Sequence, residues 1–146
     1  MRKERRMIIN TKTYTTLPQE AKDIRIEVFM KEQGFENEFD KIDTISHHIV
    51  VFDEGKPIGT CRFFKENDHY TIGRVAVLKA YRNQHIGNLL LICAEKEIKK
   101  LNGDLIVVHA QVRVSPFYKK QGYIQFGQID DDEGVPHMWM KKRIQH

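Results

Sequence analysis

The sequence predicts a mixed α/β fold, in which one central sheet has both antiparallel and parallel neighbours and is flanked by helices. Three strand-like runs, at 46–52, 58–64 and 70–78, follow one another with only turn residues between them, which favours antiparallel pairing. A helical pattern at 86–101 then leads into a continuously apolar run at 105–110, which is the order of a parallel crossover. We expect the whole chain of 146 residues to form a single domain.

The first third of the chain predicts a strand at 7–14 followed by a helix that ends at Gly34. Thr16 and Gln19 have the spacing of a capping box, so we expect the helix to begin there. The residues expected to face inward are Ala21, Ile24 and Val28. The acidic segment 35–43 is predicted to be a loop or a short irregular helix.

The middle of the chain supplies the strands and the longest helix. Turn-forming residues at 53–57 and 66–68 join the three antiparallel strands. The helix at 86–101 places apolar residues at steps of three and four, and Asn102 with Gly103 is expected to end it. Its apolar residues are Ile86, Leu89, Leu90, Cys93, Ala94, Ile98 and Leu101.

The last third predicts one more helix and the remaining strands. The apolar run at 105–110 should be a strand covered on both faces and parallel to the strand at 70–78. A short helix at 115–120 precedes two strands, at 123–126 and at 137–140. The acidic residues between those strands, at 130–134, are predicted to form a loop.

The six residues from Arg82 to Gly87 separate the strand at 70–78 from the helix that follows. A helix that begins so abruptly leaves its first N–H groups without intrahelical partners, and the peptide dipoles make that end partly positive. An anion such as a phosphate is therefore expected at this turn.

This order of elements resembles the GNAT superfamily of acyl-CoA-dependent N-acetyltransferases over roughly residues 20–142. A second family signature, an aromatic residue and tyrosine followed three residues later by glycine and an aromatic residue, is intact from Phe117 to Tyr123. In the phosphate turn Arg82 and Gly87 match the family pattern, but His85 replaces its first glycine. Because histidine adopts a left-handed backbone less readily than glycine, we expect weaker or re-aimed cofactor contacts there.

Shorter stretches look like one small bacterial branch of that superfamily, which is loosely similar to glucosamine-6-phosphate acetyltransferases. They include Glu27-Val28-Phe29, Gly55-Lys56-Pro57 and Val135-Pro136-His137. The branch name does not identify the acceptor.

The resemblance implies a sheet splayed between the strands at 70–78 and 104–111, acetyl-CoA as cosubstrate and no metal. Backbone N–H groups of the turn would hold the pyrophosphate, and the pantetheine arm would lie beside the strand. The implied cofactor-binding residues are Val75, Ala76, Val77, Arg82, Asn83, Gln84, His85, Ile86, Gly87 and Asn88. The N–H of Val75 would donate to the thioester oxygen, and Tyr118 would protonate the departing thiolate.

The base that removes the amine proton is left open by the sequence. Some branches carry a glutamate where this chain has Thr71, which cannot serve. Histidines have suitable chemistry, and the candidates are His47, His48, His109 and His137. Glu32 or Asp43 acting through water, or no dedicated base at all, are the alternatives.

Composition narrows the class of protein. The net charge of +4 comes largely from basic residues near both ends, and no basic and aromatic face is apparent, so we expect no nucleic-acid partner. No apolar run approaches a membrane span, and the His and Cys spacings match no metal site. Cys61 and Cys93 are predicted to be free thiols in a cytoplasmic protein, and residues 1–6 a flexible basic tail.

We therefore expect direct acetyl transfer from acetyl-CoA to a primary amine of a small molecule. An amino-sugar phosphate, or a peptide or protein amine, is the enzymatic alternative. A non-catalytic acyl-CoA-binding regulatory module is the alternative from another class. The resemblance also implies a homodimer as an assembly state.

Overall fold

The computed structural model describes residues 6–36 and 38–144, so most of the predicted basic tail, residues 1–5, lies outside the described residues. The described residues form one seven-stranded sheet in the order β1-β2-β3-β4-β5-β7-β6. The strands are β1 Ile9–Tyr14, β2 His47–Asp53, β3 Lys56–Glu66, β4 His69–Val77, β5 Leu105–Gln111, β6 Ile124–Asp132 and β7 Val135–Arg143. The helices are α1 Gln19–Arg25, α2 Ile86–Lys100 and α3 Ser115–Lys120, with short 3-10 turns at Lys41–Thr44, Lys79–Tyr81 and Val112–Val114. The predicted mixed fold is confirmed.

Tight turns make β2, β3 and β4 antiparallel neighbours, as predicted. Glu54 and Gly55 join β2 to β3 with φ of 48° and 83°, and a two-residue turn with both φ values positive twists in the same sense as the strands. Asn67, at φ 54°, begins the equally short turn between β3 and β4. Strand β3 is longer than the sequence predicted because its pairing continues up to the turn residues, whereas β2 has the predicted length and is shifted by one residue.

Strands β4 and β5 are parallel but pair over only three residues, Tyr70–Ile72 against Ile106–Val108. Beyond that point β4 carries a bulge, where Arg74 takes the left-handed conformation at φ 52°. A bulge bends its strand and increases the local twist. The two strands therefore diverge, which confirms the predicted splay and opens a gap in the middle of the sheet.

Helix α2 packs on one face of the sheet across this gap. Its core residues Leu90, Leu91, Ala94 and Ile98 have no exposed surface. Asn102, at φ 66°, follows the helix, and the N–H of Gly103 bonds the carbonyl of Ile98, which confirms the predicted end.

The predicted start of the first helix is wrong. Pro18 precedes α1 in an extended conformation at ψ 157°, and no side chain caps the helix. Proline disfavours the helical region for the residue before it, so the helix cannot extend back to Thr16. The Gln19 amide donates instead to Asp23 Oδ1 at 2.8 Å.

After α1 the helix continues as a π-helix over Ile26–Glu32, and Gly34 at φ 79° follows its end, as predicted.

The predicted acidic loop at 130–134 is also wrong over most of its length. Strand β6 runs through Asp132, and only Glu133 and Gly134 form the turn to β7. A register shift between Phe126 and Asp130 lets the strand continue beyond Gly127. Because β6 lies at the sheet edge, its carboxylates remain in water and the strand can tolerate them.

Candidate functional site

A cavity of about 630 Å³ lies where β4 and β5 diverge, and we call it the large cavity. It runs from the N-terminus of α2 along β4 to α3. Nine of the ten residues predicted to bind the cofactor line it: Val75, Ala76, Val77, Arg82, Asn83, His85, Ile86, Gly87 and Asn88. The tenth, Gln84, is not in its lining, and its side-chain amide donates to the carbonyl of Ala80 at 3.4 Å.

The turn before α2 has the left-handed backbone conformation that glycine, the usual family residue at position 85, adopts readily. His85 is the residue before the helix and lies in the left-handed region at φ 63° and ψ 19°, and Asn83 has a φ of 63°. No side chain caps this end of α2, so the first N–H groups of the helix remain available to a ligand. Elsewhere in its lining the large cavity includes Arg113 and Lys120, which favour an anionic ligand.

Gly87 leaves space between the phosphate turn and the ring of Phe117. A Cβ at this position would lie 3.1 Å from Cζ of Phe117, whose ring forms the opposite wall of the large cavity. A larger residue would therefore push the ring of Phe117 away or narrow the cavity.

Arg82 lies at the large cavity, but its guanidinium already has protein partners. Nη1 and Nη2 donate to the two carboxylate oxygens of Glu32 at 2.6 and 2.7 Å, and Nε donates to the carbonyl of Val77 at 3.0 Å. The hydrogen bond from Arg82 lowers the pKa of Glu32. The pair thus links the end of the π-helix to the phosphate turn, and Glu32 is not a free base.

The β4 bulge takes Val75 out of the regular strand pairing with β3. Thr60 of β3 pairs with Ala76 and Arg62 pairs with Gly73, so Arg74 and Val75 together face one residue of β3. The parallel ladder with β5 has already ended at Ile72. Within the described ladders Val75 therefore has no partner residue.

A second cavity of about 150 Å³, the small cavity, lies on the other side of the bulge. Its lining is more polar and includes Glu38, Arg74, His109, Gln111, Asp132, Glu133 and His137. Five residues line both cavities: Gln33, Val75, Arg113, Val114 and Tyr118. The two cavities therefore meet at the two residues that the sequence predicted to be catalytic.

Tyr118 lies on α3 with 7% of its surface exposed. Its ring packs edge to face against Phe117 and Tyr123, with centroids 5.0 and 5.9 Å away. Burial raises the pKa of Tyr118, so the phenol keeps its proton at neutral pH. None of the hydrogen bonds recorded between described residues uses its hydroxyl group.

A closed ring of six charged side chains supports the bulge, and we call it the charge ring. Its members are Arg25, Glu38, Asp40, Asp43, Arg62 and Arg74. Arg25 donates to Glu38 Oε1 at 3.2 Å and to Asp43 Oδ1 at 2.8 Å, and only 1% of it is exposed.

The other two arginines close the charge ring. Arg62 Nη1 lies 2.9 Å from Asp43 Oδ1 and 2.7 Å from Asp40 Oδ1. Arg74 Nε lies 2.8 Å from Glu38 Oε1, and Arg74 Nη2 lies 3.3 Å from Asp40 Oδ2. Each charge has two neighbours of opposite sign, so the ring ties the 38–43 segment to the bulged part of β4.

Burial and pairing act in opposite directions on the acids of the charge ring. Burial works to raise the pKa of Asp43, but hydrogen bonds from Arg25 and Arg62 hold it at about 2. For Glu38 burial prevails over its arginine neighbours, and its pKa is raised. No sequence pattern pointed to Glu38, and Arg74 was visible only as an arginine within a strand-like run.

The histidines predicted as candidate bases fall into two groups. His47 stacks on Phe63 with ring centroids 4.9 Å apart, and His48 is buried against the carbonyl of Asp43. Neither lines a cavity described above. Burial lowers the pKa of His48. His109 and His137 both line the small cavity, so the structure brings only these two near Val75 and Tyr118.

Among the described residues, no group of three or more His, Cys, Asp or Glu side chains is placed to hold a metal ion. No helix among them is long and apolar enough to cross a membrane.

Comparison with known proteins gives the family. The profile described as acetyltransferase (GNAT) domain matches residues 14–144. The uncharacterized N-acetyltransferase YjcF of Bacillus subtilis (strain 168) is 35% identical over 122 residues, which cover 82% of this chain and 87% of YjcF.

Solved structures agree with this match. The crystal structure of a Lactobacillus plantarum protein superposes with a TM-score of 0.86 at 27% identity, covering 94% of this chain and 99% of that one. An aminoglycoside 6'-N-acetyltransferase complexed with coenzyme A has the same fold, with a TM-score of 0.74 at 16% identity over 96% of this chain and 99% of its own. This chain therefore belongs to the GNAT family of acetyl-CoA-dependent N-acetyltransferases.

Proposed function

We propose that this protein transfers the acetyl group of acetyl-CoA to a primary amine of a small molecule. The observation that carries the proposal is the meeting of the two cavities at Val75 and Tyr118. The large cavity, with a volume of about 630 Å³ and the uncapped N-terminus of α2 in its lining, supports a nucleotide with a pantetheine arm, and the small cavity offers room for an acceptor.

In this proposal the uncapped N-terminus of α2 holds the pyrophosphate, and the pantetheine arm lies along residues 75–77 in place of a strand. The unpaired position of Val75 in the ladder supports this placement, because a free backbone edge can pair with the amides of the arm. Arg82 would bind a cofactor phosphate only if its two hydrogen bonds to Glu32 broke and the phosphate took the place of that carboxylate.

The chemistry follows from the groups at the junction. The amine nitrogen attacks the thioester carbon, and the oxyanion that forms is held by the N–H of Val75. One donor of this kind is typically worth about 10²–10³ in rate. The C–S bond then breaks, and Tyr118 gives its proton to the thiolate. A phenol kept neutral by burial is suited to this donation.

The shape of the small cavity supports a small acceptor over a protein chain. Its volume is about 150 Å³, and the backbone N–H of Glu36 donates to Glu133 Oε1 at 3.2 Å, which joins the segment after α1 to the β6–β7 turn. Arg113 in the lining would suit the phosphate group of an amino-sugar phosphate, and this is the acceptor that we propose second.

The proposal also includes the cytoplasm as location and a homodimer as assembly. Both Cys61 and Cys93 are free thiols, which is usual in a reducing compartment. The edge strand β6 leaves Ile124 and Ile129 exposed, and a second copy could cover them. Sedimentation of the purified protein would test the assembly, and a monomer at all concentrations would refute it.

A thiol-release assay with a panel of amines tests the function. We expect acceptor-dependent CoA release, which Tyr118→Phe lowers on the order of 10²-fold in kcat with little change in the KM for acetyl-CoA. Tyr70→Phe is the matched control, because Tyr70 is equally buried but lines neither cavity described above. Acetyl-CoA binding without CoA release on any amine would refute the proposal and favour a regulatory module.

A further inference from the structure

We propose that His137 is the general base of this enzyme and that it takes the proton of the acceptor ammonium through Nε2. The inference rests on the function proposed above. It assigns a catalytic role that the sequence left open among several side chains.

The hydrogen bond of His137 fixes which ring nitrogen can act. Nδ1 lies 2.8 Å from the carbonyl oxygen of Val135, and a carbonyl oxygen only accepts. Nδ1 must therefore carry the hydrogen, and in the neutral ring Nε2 is left with a lone pair. The ring is held in one orientation by this bond and by burial, since only 6% of His137 is exposed.

The strand register places His137 at the open part of the sheet. It pairs with Gln111, the last residue of β5, and its side chain lines the small cavity together with Val75 and Tyr118. Nε2 is the ring nitrogen farther from the backbone. It is therefore the atom of His137 best placed to meet an amine in that cavity.

The neighbouring histidine is less suited to the role. His109 lies beside His137 with ring centroids 4.7 Å apart, but its Nε2 is 2.7 Å from Asp130 Oδ1. A carboxylate accepts, so this nitrogen of His109 donates and has no lone pair to offer. His109 is also stacked on Trp139 at 4.3 Å, which fixes its ring. Its bond to Asp130 lowers the pKa of that carboxyl group.

The charges around the small cavity favour a cationic acceptor such as an ammonium ion. Carboxylates come from β6 and its turn, namely Asp130, Asp132 and Glu133. Arg113 opposes them from the segment before α3, and Arg74 from β4 is compensated by Glu38 in the charge ring. In the lining of the small cavity Asp132 and Glu133 therefore outnumber Arg113.

The proton balance of the reaction gives His137 a defined step. The acceptor enters as an ammonium ion and leaves as an amide, so it loses two protons. His137 takes the first, which frees the nitrogen lone pair for attack, and later releases it to solvent. Tyr118 gives its own proton to the sulfur when the C–S bond breaks, and the second amine proton restores the phenol.

The variant His137→Gln tests this step in the thiol-release assay. We expect kcat at pH 7 to fall about 10²-fold and to recover at higher pH, where the amine loses its proton unaided. The KM for acetyl-CoA should not change. An arylamine that is already neutral at pH 7 should show little loss. His69→Gln is the control, because His69 begins β4 and lines neither cavity described above.

Several outcomes would overturn the assignment. One is a wild-type rate in His137→Gln at pH 7, and another is loss of the pH dependence in His109→Gln instead. If His137→Gln does not fold, ¹⁵N NMR of the wild-type imidazoles decides, since His137 protonated on Nε2 in its neutral form contradicts the proposal. An inactive wild type would instead refute the proposed function, and the two failures are therefore distinguishable.

Discussion

The charge ring makes the stability of this protein depend on one carboxylate, Asp43. Its two oxygens accept from Arg25 at 2.8 and 3.1 Å, and Oδ1 also accepts from Arg62 at 2.9 Å. Replacing Asp43 by asparagine keeps the shape of the side chain and removes its charge. Two buried arginines would then depend on Glu38 and Asp40 alone.

The magnitude follows from the pKa of Asp43, which is lowered from 3.8 to about 2. This difference corresponds to about 2 kcal/mol of folding free energy. Because the folded pKa is below the unfolded one, the contribution is complete above about pH 5 and is lost as the pH falls through 2. Breaking a buried ion pair by removing one partner costs more, about 3–5 kcal/mol, since a buried charge remains uncompensated.

Urea unfolding of the wild type and of Asp43→Asn measures this difference. At pH 7 we expect the variant to lose about 3–5 kcal/mol, and its Tm to fall by roughly 10 °C. Between pH 7 and pH 3 the gap should narrow by about 1 kcal/mol, because only the wild type has this proton to bind. Asp131→Asn, an exposed substitution on β6, should change stability by no more than about 0.5 kcal/mol.

A gap below about 1 kcal/mol at pH 7, or a gap of the same size at pH 7 and pH 3, would contradict a stabilising role of the ionised Asp43 carboxylate. The first result would mean that the remaining acids satisfy both arginines. The second would mean that the ionised carboxylate of Asp43 contributes nothing beyond the shape of its side chain.

Two further predictions concern the cofactor side. Gly59→Ala should destabilise the protein by about 1–3 kcal/mol and raise the Kd for acetyl-CoA, because the new Cβ would lie 2.9 Å from Cγ2 of Ile86 at the start of α2. If the free energy of unfolding and the calorimetric Kd for acetyl-CoA are both unchanged, close packing between residue 59 and the start of α2 is contradicted. His85→Gly should change stability by no more than about 1 kcal/mol, because glycine adopts the left-handed conformation of residue 85 without strain, and it should tighten acetyl-CoA binding by removing an imidazole from the lining of the large cavity. Weaker binding would show instead that the imidazole contacts the cofactor.

Some elements could be predicted from the sequence because their causes are local. The Glu54-Gly55 turn, the apolar spacing of α2 and the continuous apolar run of β5 each reflect a preference within a few residues. The phosphate turn belongs to the same class, since an abrupt strand-to-helix junction produces free N–H groups wherever it occurs. Nine of the predicted cofactor residues consequently line one cavity.

Local patterns and the family resemblance were therefore enough to predict the order of strands and helices, the turn before α2 and the family. The left-handed bulge at Arg74, the closure of the charge ring and the neighbourhood of His137 depend on tertiary packing. Arg74 meets Glu38 from 36 residues away along the chain, and Arg25 meets Asp43 across 18. Contacts between residues so far apart in the chain produce no periodic pattern in the sequence, because they depend on how the elements pack and not on the preferences of neighbouring residues.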